Sequence, residues 1–424
     1  MEARQGTLGL LGRKLGHSWS PQIHARLGST PYALIEKEPD EVRDYLRSGD
    51  WSGLNVTIPY KRIATEVADV QSPRVERLGV ANTLVRTSEG IFAENTDVLG
   101  FGWMLQRFFE RQLGTPVSKA LDGAEVLVLG SGGACQAVRA AIEQAADCRV
   151  CVISRTGDDT YETIVDRHVH ARLIVNTTPV GMYPSCPQSP LDAATMAGFD
   201  SLCGVLDVIY NPERTGLVLL AEELGIPAES GLAMLVSQAF YASQLFQQKT
   251  LDEALVEQIE TDLRKSQRNI ILIGMPGAGK TSTGRALARL LHRPFIDLDD
   301  AFEVEVGSSA AAYITAYGEE AFREQESAIA ARYGAQSGLV IASGGGIVTR
   351  QRNYPAIHQN ASIVYVDRPL YQLTSAGRPL SQSRGIRQLA KERLSLYESW
   401  ADEVISCTGS AAGDALLIRA KLGL

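Results

Sequence analysis

Gly274-Met275-Pro276-Gly277-Ala278-Gly279-Lys280-Thr281 lies between a β-branched run, Asn269–Ile273, and a helical pattern over residues 282–291. A G-x-x-x-x-G-K-[ST] loop in a strand–loop–helix setting wraps a β-phosphate in backbone N–H groups. Its lysine reaches the β/γ oxygens and its hydroxyl takes Mg²⁺. Gly274, Pro276, Gly277, Ala278, Gly279, Lys280 and Thr281 are therefore expected to hold a nucleoside triphosphate, with Thr281 a metal ligand. A second glycine loop lies upstream. Gly130-Ser131-Gly132-Gly133-Ala134 follows the run Glu125–Leu129 and opens a helical stretch at Gln136. Its backbone can approach a pyrophosphate at a helix N-terminus. The next strand, Arg149–Ile153, ends at Ser154-Arg155-Thr156. An acid there would grip a ribose 2′-hydroxyl; Arg155 suits a 2′-phosphate, so NADP(H) is the expected cofactor. Asp158 and Asp159 follow closely, and two carboxylates at that place would repel the phosphate unless screened.

Working outward, short apolar runs alternate with amphipathic stretches. Further strands are expected at Leu173–Asn176, Val340–Ala342 and residues 362–366. This is the pattern of an α/β chain with parallel sheets. At 424 residues the chain has room for two or three domains. A polar stretch at residues 264–268, Arg-Lys-Ser-Gln-Arg, follows a helical pattern over 251–263 and reads as a short linker. The formal charge of −8 offers no basic field, so nucleic acid and anionic membrane are not expected partners. Six cysteines are too few for a disulfide scaffold, and the lone Cys148-x-x-Cys151 reads as the start of a buried strand. Arg4, Arg13 and Lys14 interrupt the N-terminal region, no apolar window is long enough for a membrane span, and a cytoplasmic location is expected.

Residues 1–262 carry seven ordered motifs. They are Gly16-His17-Ser18-Trp19-Ser20-Pro21, Asn55-Val56-Thr57-Ile58-Pro59-Tyr60-Lys61, Val80-Ala81-Asn82-Thr83 and Glu94-Asn95-Thr96-Asp97. Asn176-Thr177-Thr178-Pro179, Asp207-x-x-Tyr210-x-Pro212-x-x-Thr215 and Gly231-x-x-Met234-Leu235-x-x-Gln238 follow. Together they resemble shikimate dehydrogenase. The resemblance implies that Ser18, Ser20 and Tyr210 hold a substrate carboxylate, and that Thr57, Asn82, Asp97 and Gln238 hold ring oxygens. Lys61 and Asp97 become the catalytic pair. It also implies cofactor contacts from Gly130, Ser131, Gly132, Gly133, Ala134, Ser154, Arg155, Thr156 and Gly231. His17 and His24 receive no chemistry.

The C-terminal part resembles shikimate kinase. After the P-loop come Phe295-Ile296-Asp297-Leu298-Asp299, Gly318-Glu319-x-x-Phe322-Arg323-x-x-Glu326, Gly344-Gly345-Gly346, Gly377-Arg378-Pro379-Leu380 and Arg393-x-x-x-Tyr397. This resemblance implies ATP as the nucleotide, Lys280 as a catalytic residue, Asp299 as the base on the substrate hydroxyl and Asp297 with Thr281 at Mg²⁺. Arg323 and Arg393 would clamp the substrate carboxylate, Gly345 would bind substrate through its backbone, and Arg378 on a lid would serve both nucleotide and catalysis.

The combined expectation is an α/β substrate domain (residues 1–100 and 232–264) with a Rossmann NADP-binding domain (101–231). Together they make a dehydrogenase over 1–264. A P-loop kinase domain with a five-stranded parallel sheet follows over 269–424. The product of the first half is the substrate of the second. The implied activity is therefore reduction of 3-dehydroshikimate followed by phosphorylation of shikimate, with small-molecule substrates as partners and oligomeric state open. The alternatives are a quinate/shikimate dehydrogenase using NAD fused to the kinase, and a non-catalytic shikimate sensor.

Overall fold

The computed structural model describes residues 6–16, 18–373 and 385–424. The chain divides into two compact units. The first gathers Met1–Pro179, Pro190–Tyr210 and Leu220–Asp262; the second gathers Val180–Ser189, Asn211–Leu219 and Leu263–Leu424.

The first unit contains two sheets. One is six-stranded, in the order Tyr32–Glu36, Thr7–Gly12, Trp51–Val56, Thr83–Thr87, Gly90–Glu94, Val70–Gln71. Its first three strands are parallel, and Thr83–Thr87 runs antiparallel to both its neighbours. Trp51, Leu54, Val56 and Leu84 pack fully buried on it with Tyr60. The other sheet is five-stranded and parallel, ordered Ala228–Glu229, Gly204–Asp207, Leu173–Asn176, Glu125–Leu129, Arg149–Ile153. Val126 to Leu129 are all inaccessible, as a strand covered on both faces must be.

Two helices in this unit carry site residues. Thr96–Phe108 is capped by Asn95, whose side chain accepts from the Val98 N–H at 3.3 Å. It packs against Leu232–Gln247 at a glycine: a Cβ on Gly100 would lie 2.8 Å from the Gln238 Cβ. The close approach brings Asp97 and Gln238 onto facing helices.

The second unit is built on five parallel strands in the order Phe295–Asp297, Val340–Ala342, Asn269–Ile273, Ala361–Asp367, Glu403–Ser406. Every strand expected from sequence forms, and the one expected over 362–366 is a residue longer at each end. The stretch at 264–268 differs from expectation. The helix Ala254–Gln267 runs through it, and the strand begins at Asn269. Its polar side chains are engaged: Arg264 Nη1 donates to Glu213 Oε1 at 2.8 Å, and Arg268 Nε to Glu213 Oε2 at 2.7 Å. Lys265 Nζ donates to the Gly423 carbonyl at 2.8 Å. Burial pushes the Glu213 carboxyl up, but the Arg268 hydrogen bond and the Arg268, Arg264 and Arg214 charges outweigh it and hold it at about 2.

Candidate active sites

Lys61 opens the helix Lys61–Val67, and Asp97 sits in the first turn of Thr96–Phe108. Lys61 Nζ donates to Asp97 Oδ2 at 2.5 Å, and Asn82 Nδ2 donates to Asp97 Oδ1 at 2.8 Å. The two charged side chains are 20% and 14% exposed, so salt screens their attraction weakly. Asn82 is itself fixed: its Oδ1 accepts from the Thr96 N–H at 2.7 Å, and its Nδ2 donates to Thr96 Oγ1 at 3.1 Å. The orientation of the carboxylate is thus set before any ligand arrives.

Asn55, Thr83 and Thr96 are positioning residues that sequence reasoning quoted inside motifs but gave no role. Tyr32 donates to Asn55 Oδ1 at 2.8 Å, Asn55 Nδ2 donates to Thr83 Oγ1 at 3.1 Å, and Thr83 and Thr96 share a hydroxyl–hydroxyl bond of 3.0 Å. Behind them His24 stacks on Tyr32 with ring centroids 3.9 Å apart. Burial drives the His24 imidazole down to about 3, against a smaller opposing pull from Asn55, so it is a neutral packing ring at pH 7.

Ser18 donates to Ser20 Oγ at 3.1 Å, and the intervening Trp19 ring lies 5.1 Å from that of Tyr210. Two of the carboxylate-binding candidates are therefore in contact, and the third, Tyr210, packs against the residue between them. Gln238 Nε2 turns to the Leu235 carbonyl at 2.9 Å, and the Thr57 N–H bonds the Leu11 carbonyl at 2.9 Å. Among the described residues neither hydrogen-bonds the Lys61–Asp97 pair. His17 lies outside the described residues.

The glycine loop at Gly130 has the features a pyrophosphate needs. Gly130 adopts φ +96°, and a Cβ there would fall 2.8 Å from Thr178 Cγ2, so only glycine fits. Gly132 caps the helix Gly133–Ala145, and a Cβ on Gly132 or Gly133 would meet nothing within 4 Å. The space above the helix N-terminus is open, as a dinucleotide requires. Gly231 caps Leu232–Gln247, where a Cβ would fall 2.1 Å from the Val208 carbonyl oxygen. Arg155 and Thr156 are exposed at the end of the neighbouring strand, with Ser154 half-buried beside them. Asp159 Oδ1 lies 2.8 Å from Arg167 Nη1 and 3.1 Å from His168 Nε2, so an arginine offsets part of its charge at the loop base, whereas Asp158 is exposed.

In the second unit one cavity of about 680 Å³ collects the kinase candidates. Gly277, Gly279, Lys280 and Thr281 line it together with Asp299, Arg323, Gly345 and Arg393. Gly274, Gly277 and Gly279 all adopt positive φ, which turns the loop around an anion-sized hollow. Lys280 Nζ donates to the carbonyls of Gly274 at 2.8 Å and Met275 at 3.1 Å, folding its stem across the loop. Thr281 donates to Asp297 Oδ2 at 2.7 Å, and the other Asp297 oxygen accepts from the Asp299 N–H at 3.0 Å. This adjacent hydroxyl and carboxylate form an oxygen donor set suited to Mg²⁺.

Arg323, 5% exposed, donates to Glu326 Oε2 at 2.6 Å, and a Cβ on Gly346 would fall 2.1 Å from its Nη1. Arg393 Nη1 and the Tyr397 hydroxyl both donate to the Gly345 carbonyl. Buried Arg393 Nε has no hydrogen-bond partner among the described residues, leaving a donor for an anion. Burial pushes the Tyr397 hydroxyl up to about 12, keeping it a neutral donor. Glu326 and Tyr397 were visible in their motifs, but their contacts to Arg323 and Gly345 required the fold. Arg378 lies outside the described residues.

Comparison with known proteins agrees with this geometry. Residues 276–419 match the family described as shikimate kinase, and residues 10–84 match the one described as shikimate dehydrogenase substrate binding domain. A shikimate dehydrogenase (NADP(+)) of Clostridium beijerinckii is 30% identical over 269 residues, covering 59% of this chain and 94% of the relative. Among solved structures, a chorismate mutase/shikimate 5-dehydrogenase fusion protein from Clostridium acetobutylicum is 32% identical at TM-score 0.55, covering 62% of this chain and 98% of that one. A shikimate 5-dehydrogenase from Thermus thermophilus, in complex with NADP(H) and shikimate, is 28% identical at TM-score 0.51 and covers 61% of this chain and 99% of its own. In its N-terminal part this chain belongs to the shikimate dehydrogenase family, and its C-terminal part adds a shikimate kinase domain, so it is a dehydrogenase–kinase fusion enzyme.

Proposed function

We propose that this enzyme performs two consecutive reactions on one small polyol acid. It reduces 3-dehydroshikimate to shikimate and then phosphorylates the 3-hydroxyl of shikimate, with residues 1–264 serving the first step and 269–424 the second. NADPH supplies the hydride and MgATP the phosphoryl group; the chain binds, orients and moves protons.

In the reductive step Lys61 stabilises the negative charge that develops on the substrate C3 oxygen. Asp97 orients both Lys61 and the reacting oxygen, held on its far side by Asn82. Ser18, Ser20 and Tyr210 receive the carboxylate; Thr57, Asn82 and Gln238 receive ring hydroxyls. Gly130 to Ala134 and Gly231 receive the dinucleotide, and Ser154, Arg155 and Thr156 its 2′-phosphate. In the phosphorylation step Asp299 accepts the proton of the attacking hydroxyl, and Arg323 and Arg393 grip the carboxylate. Lys280 contacts the β/γ oxygens, Thr281 and Asp297 hold Mg²⁺, and Arg378 neutralises charge on the group in transit.

The observation that carries this reading is the single cavity in which a nucleotide loop faces a base and two buried arginines. A loop for ATP alone needs no carboxylate clamp opposite it. An NAD-dependent quinate/shikimate dehydrogenase is less well supported, because Arg155 stands where an acid would select NAD. A sensor would not need the Lys61–Asp97 pair. No helix among the described residues is long and apolar enough to cross a membrane. The purified chain supplied with 3-dehydroshikimate, NADPH and MgATP should form shikimate 3-phosphate. NADPH oxidation that stops at shikimate would remove the kinase half of this proposal.

A further inference from the structure

The loop that carries Arg155 is closed at its base. Ser154 and Thr160 form a parallel bridge, and the Ser154 N–H donates to the Asp159 carbonyl at 3.2 Å. Arg155 to Asp158 form the exposed tip. Below it the Asp159 carboxylate turns inward, to Arg167 Nη1 at 2.8 Å and His168 Nε2 at 3.1 Å. Arg167 also donates to the Asp158 carbonyl. His168 is 2% exposed, and its Nδ1 lies 3.1 Å from Glu125 Oε2 at the start of the adjacent strand. Cys151 donates to Glu125 Oε1 at 3.3 Å, and Arg149 Nη1 sits 3.3 Å from the same oxygen. The thiol, imidazole and carboxylate of Cys151, His168 and Glu125 also lie close enough together to suggest a metal site. Arg149 and Arg167, however, already face these carboxylates, and this favours a structural anchor.

We propose that Asp159 and His168 are positioning residues for cofactor selection: the chain Glu125–His168–Asp159 ties the base of the loop to the sheet and holds Arg155 at the 2′-phosphate. The inference rests on the reading of Arg155 given above. Asp159 and Glu125 are the two carboxylates that face the buried His168 ring, so removing one of these groups leaves a buried polar neighbour unmet. The loop then loses its register to the strand, and the group lost first is the one at its tip.

The anchor and the repulsion expected from sequence predict opposite signs for one substitution. Reduction kinetics are measured on the full chain with NADPH and NADH varied separately, and phosphorylation by the same preparation reports that the chain is intact. Asp159→Asn should raise KM for NADPH about tenfold, the scale for residues that orient a contacting group. The kcat and the KM values for NADH and 3-dehydroshikimate should stay within about twofold. His168→Gln, measured in parallel, should do the same and carries the test should Asp159→Asn fail to fold. A fall in KM for NADPH with Asp159→Asn would show that its charge repels the phosphate and would overturn the proposal. So would an equal rise for both cofactors, the mark of a general structural role. Arg155→Ala is the control: it should raise KM for NADPH selectively. If it does not, the 2′-phosphate reading itself fails, whereas a selective Arg155 effect with silent Asp159 and His168 variants defeats only the anchor.

Discussion

The two glycine loops bring a polyphosphate against backbone with opposite divisions of labour. Gly274 to Thr281 carries its own cation and its own hydroxyl, so glycine geometry, charge and the proposed metal ligand arrive in eight consecutive residues. Gly130 to Ala134 carries no charge; the cation proposed to discriminate, Arg155, stands at the end of the next strand on a loop whose base lies against Asp159 and His168. The first site is local and the second is assembled. The same contrast separates the proposed catalytic groups: Asp299 belongs to the cavity wall beside the P-loop, whereas Asp97 is held by Asn82, itself fixed by Thr96.

The sharpest way to break the comparison is Lys280→Met. Phosphorylation should fall on the order of 10³-fold, the scale for removing a preorganised charge, while NADPH oxidation by the same chain stays within about threefold. Loss of both activities would mean the two sites are not separable. Asp97→Asn comes next. It removes the counter-charge of Lys61 while keeping shape, and should lower kcat for reduction about 10²-fold with phosphorylation intact. An unchanged kcat would remove Asp97 from the chemistry. Arg323→Lys keeps the charge but not the fork; KM for shikimate in phosphorylation should rise about tenfold with kcat nearly constant. A loss confined to kcat would place Arg323 on the phosphoryl group.

The smallest effect concerns pH. His24 is held neutral in the fold at about 3 against an ordinary 6.5, so the unfolded chain binds its proton first. Its contribution to stability is complete above pH 6.5 and is lost as pH falls toward 3. The slope should approach about 1.4 kcal/mol per pH unit, read from urea unfolding of the first unit between pH 6.5 and 5. Glu213 acts in a lower window: its contribution is present above 4.5 and fades as pH falls through about 2. His24→Phe should flatten the slope above pH 5, and an unaltered slope would assign the acid limb to other groups.

The fold class was legible from sequence because parallel strands buried on both faces read as short β-branched runs, as at Glu125–Leu129 and Asn269–Ile273. The stretch at 264–268, helical where a linker was expected although the two units divide beside it, shows the limit. A cluster of polar residues resembles a linker when its partners are out of view, and here those partners are Glu213 and Gly423, far away in sequence. The site was legible where side chains act within one motif, as with Lys280 and Thr281. It was partly legible where motifs meet: Lys61, Asn82 and Asp97 were named, but Asn55, Thr83 and Thr96 showed their roles only once the hydrogen bonds were drawn.

Residue order alone determined which chemistry this chain can reach. Glycines that permit left-handed turns, a lysine six residues beyond the first of them, and a basic residue at a strand end are properties of neighbouring positions. Tertiary structure decided how charges are spent. Asp159 faces inward to a histidine and an arginine, and Glu326 pairs with one arginine of the proposed carboxylate clamp while Arg393 keeps a donor. Electrostatic energy depends on distance and shielding through space, and neither is written in the spacing along the chain.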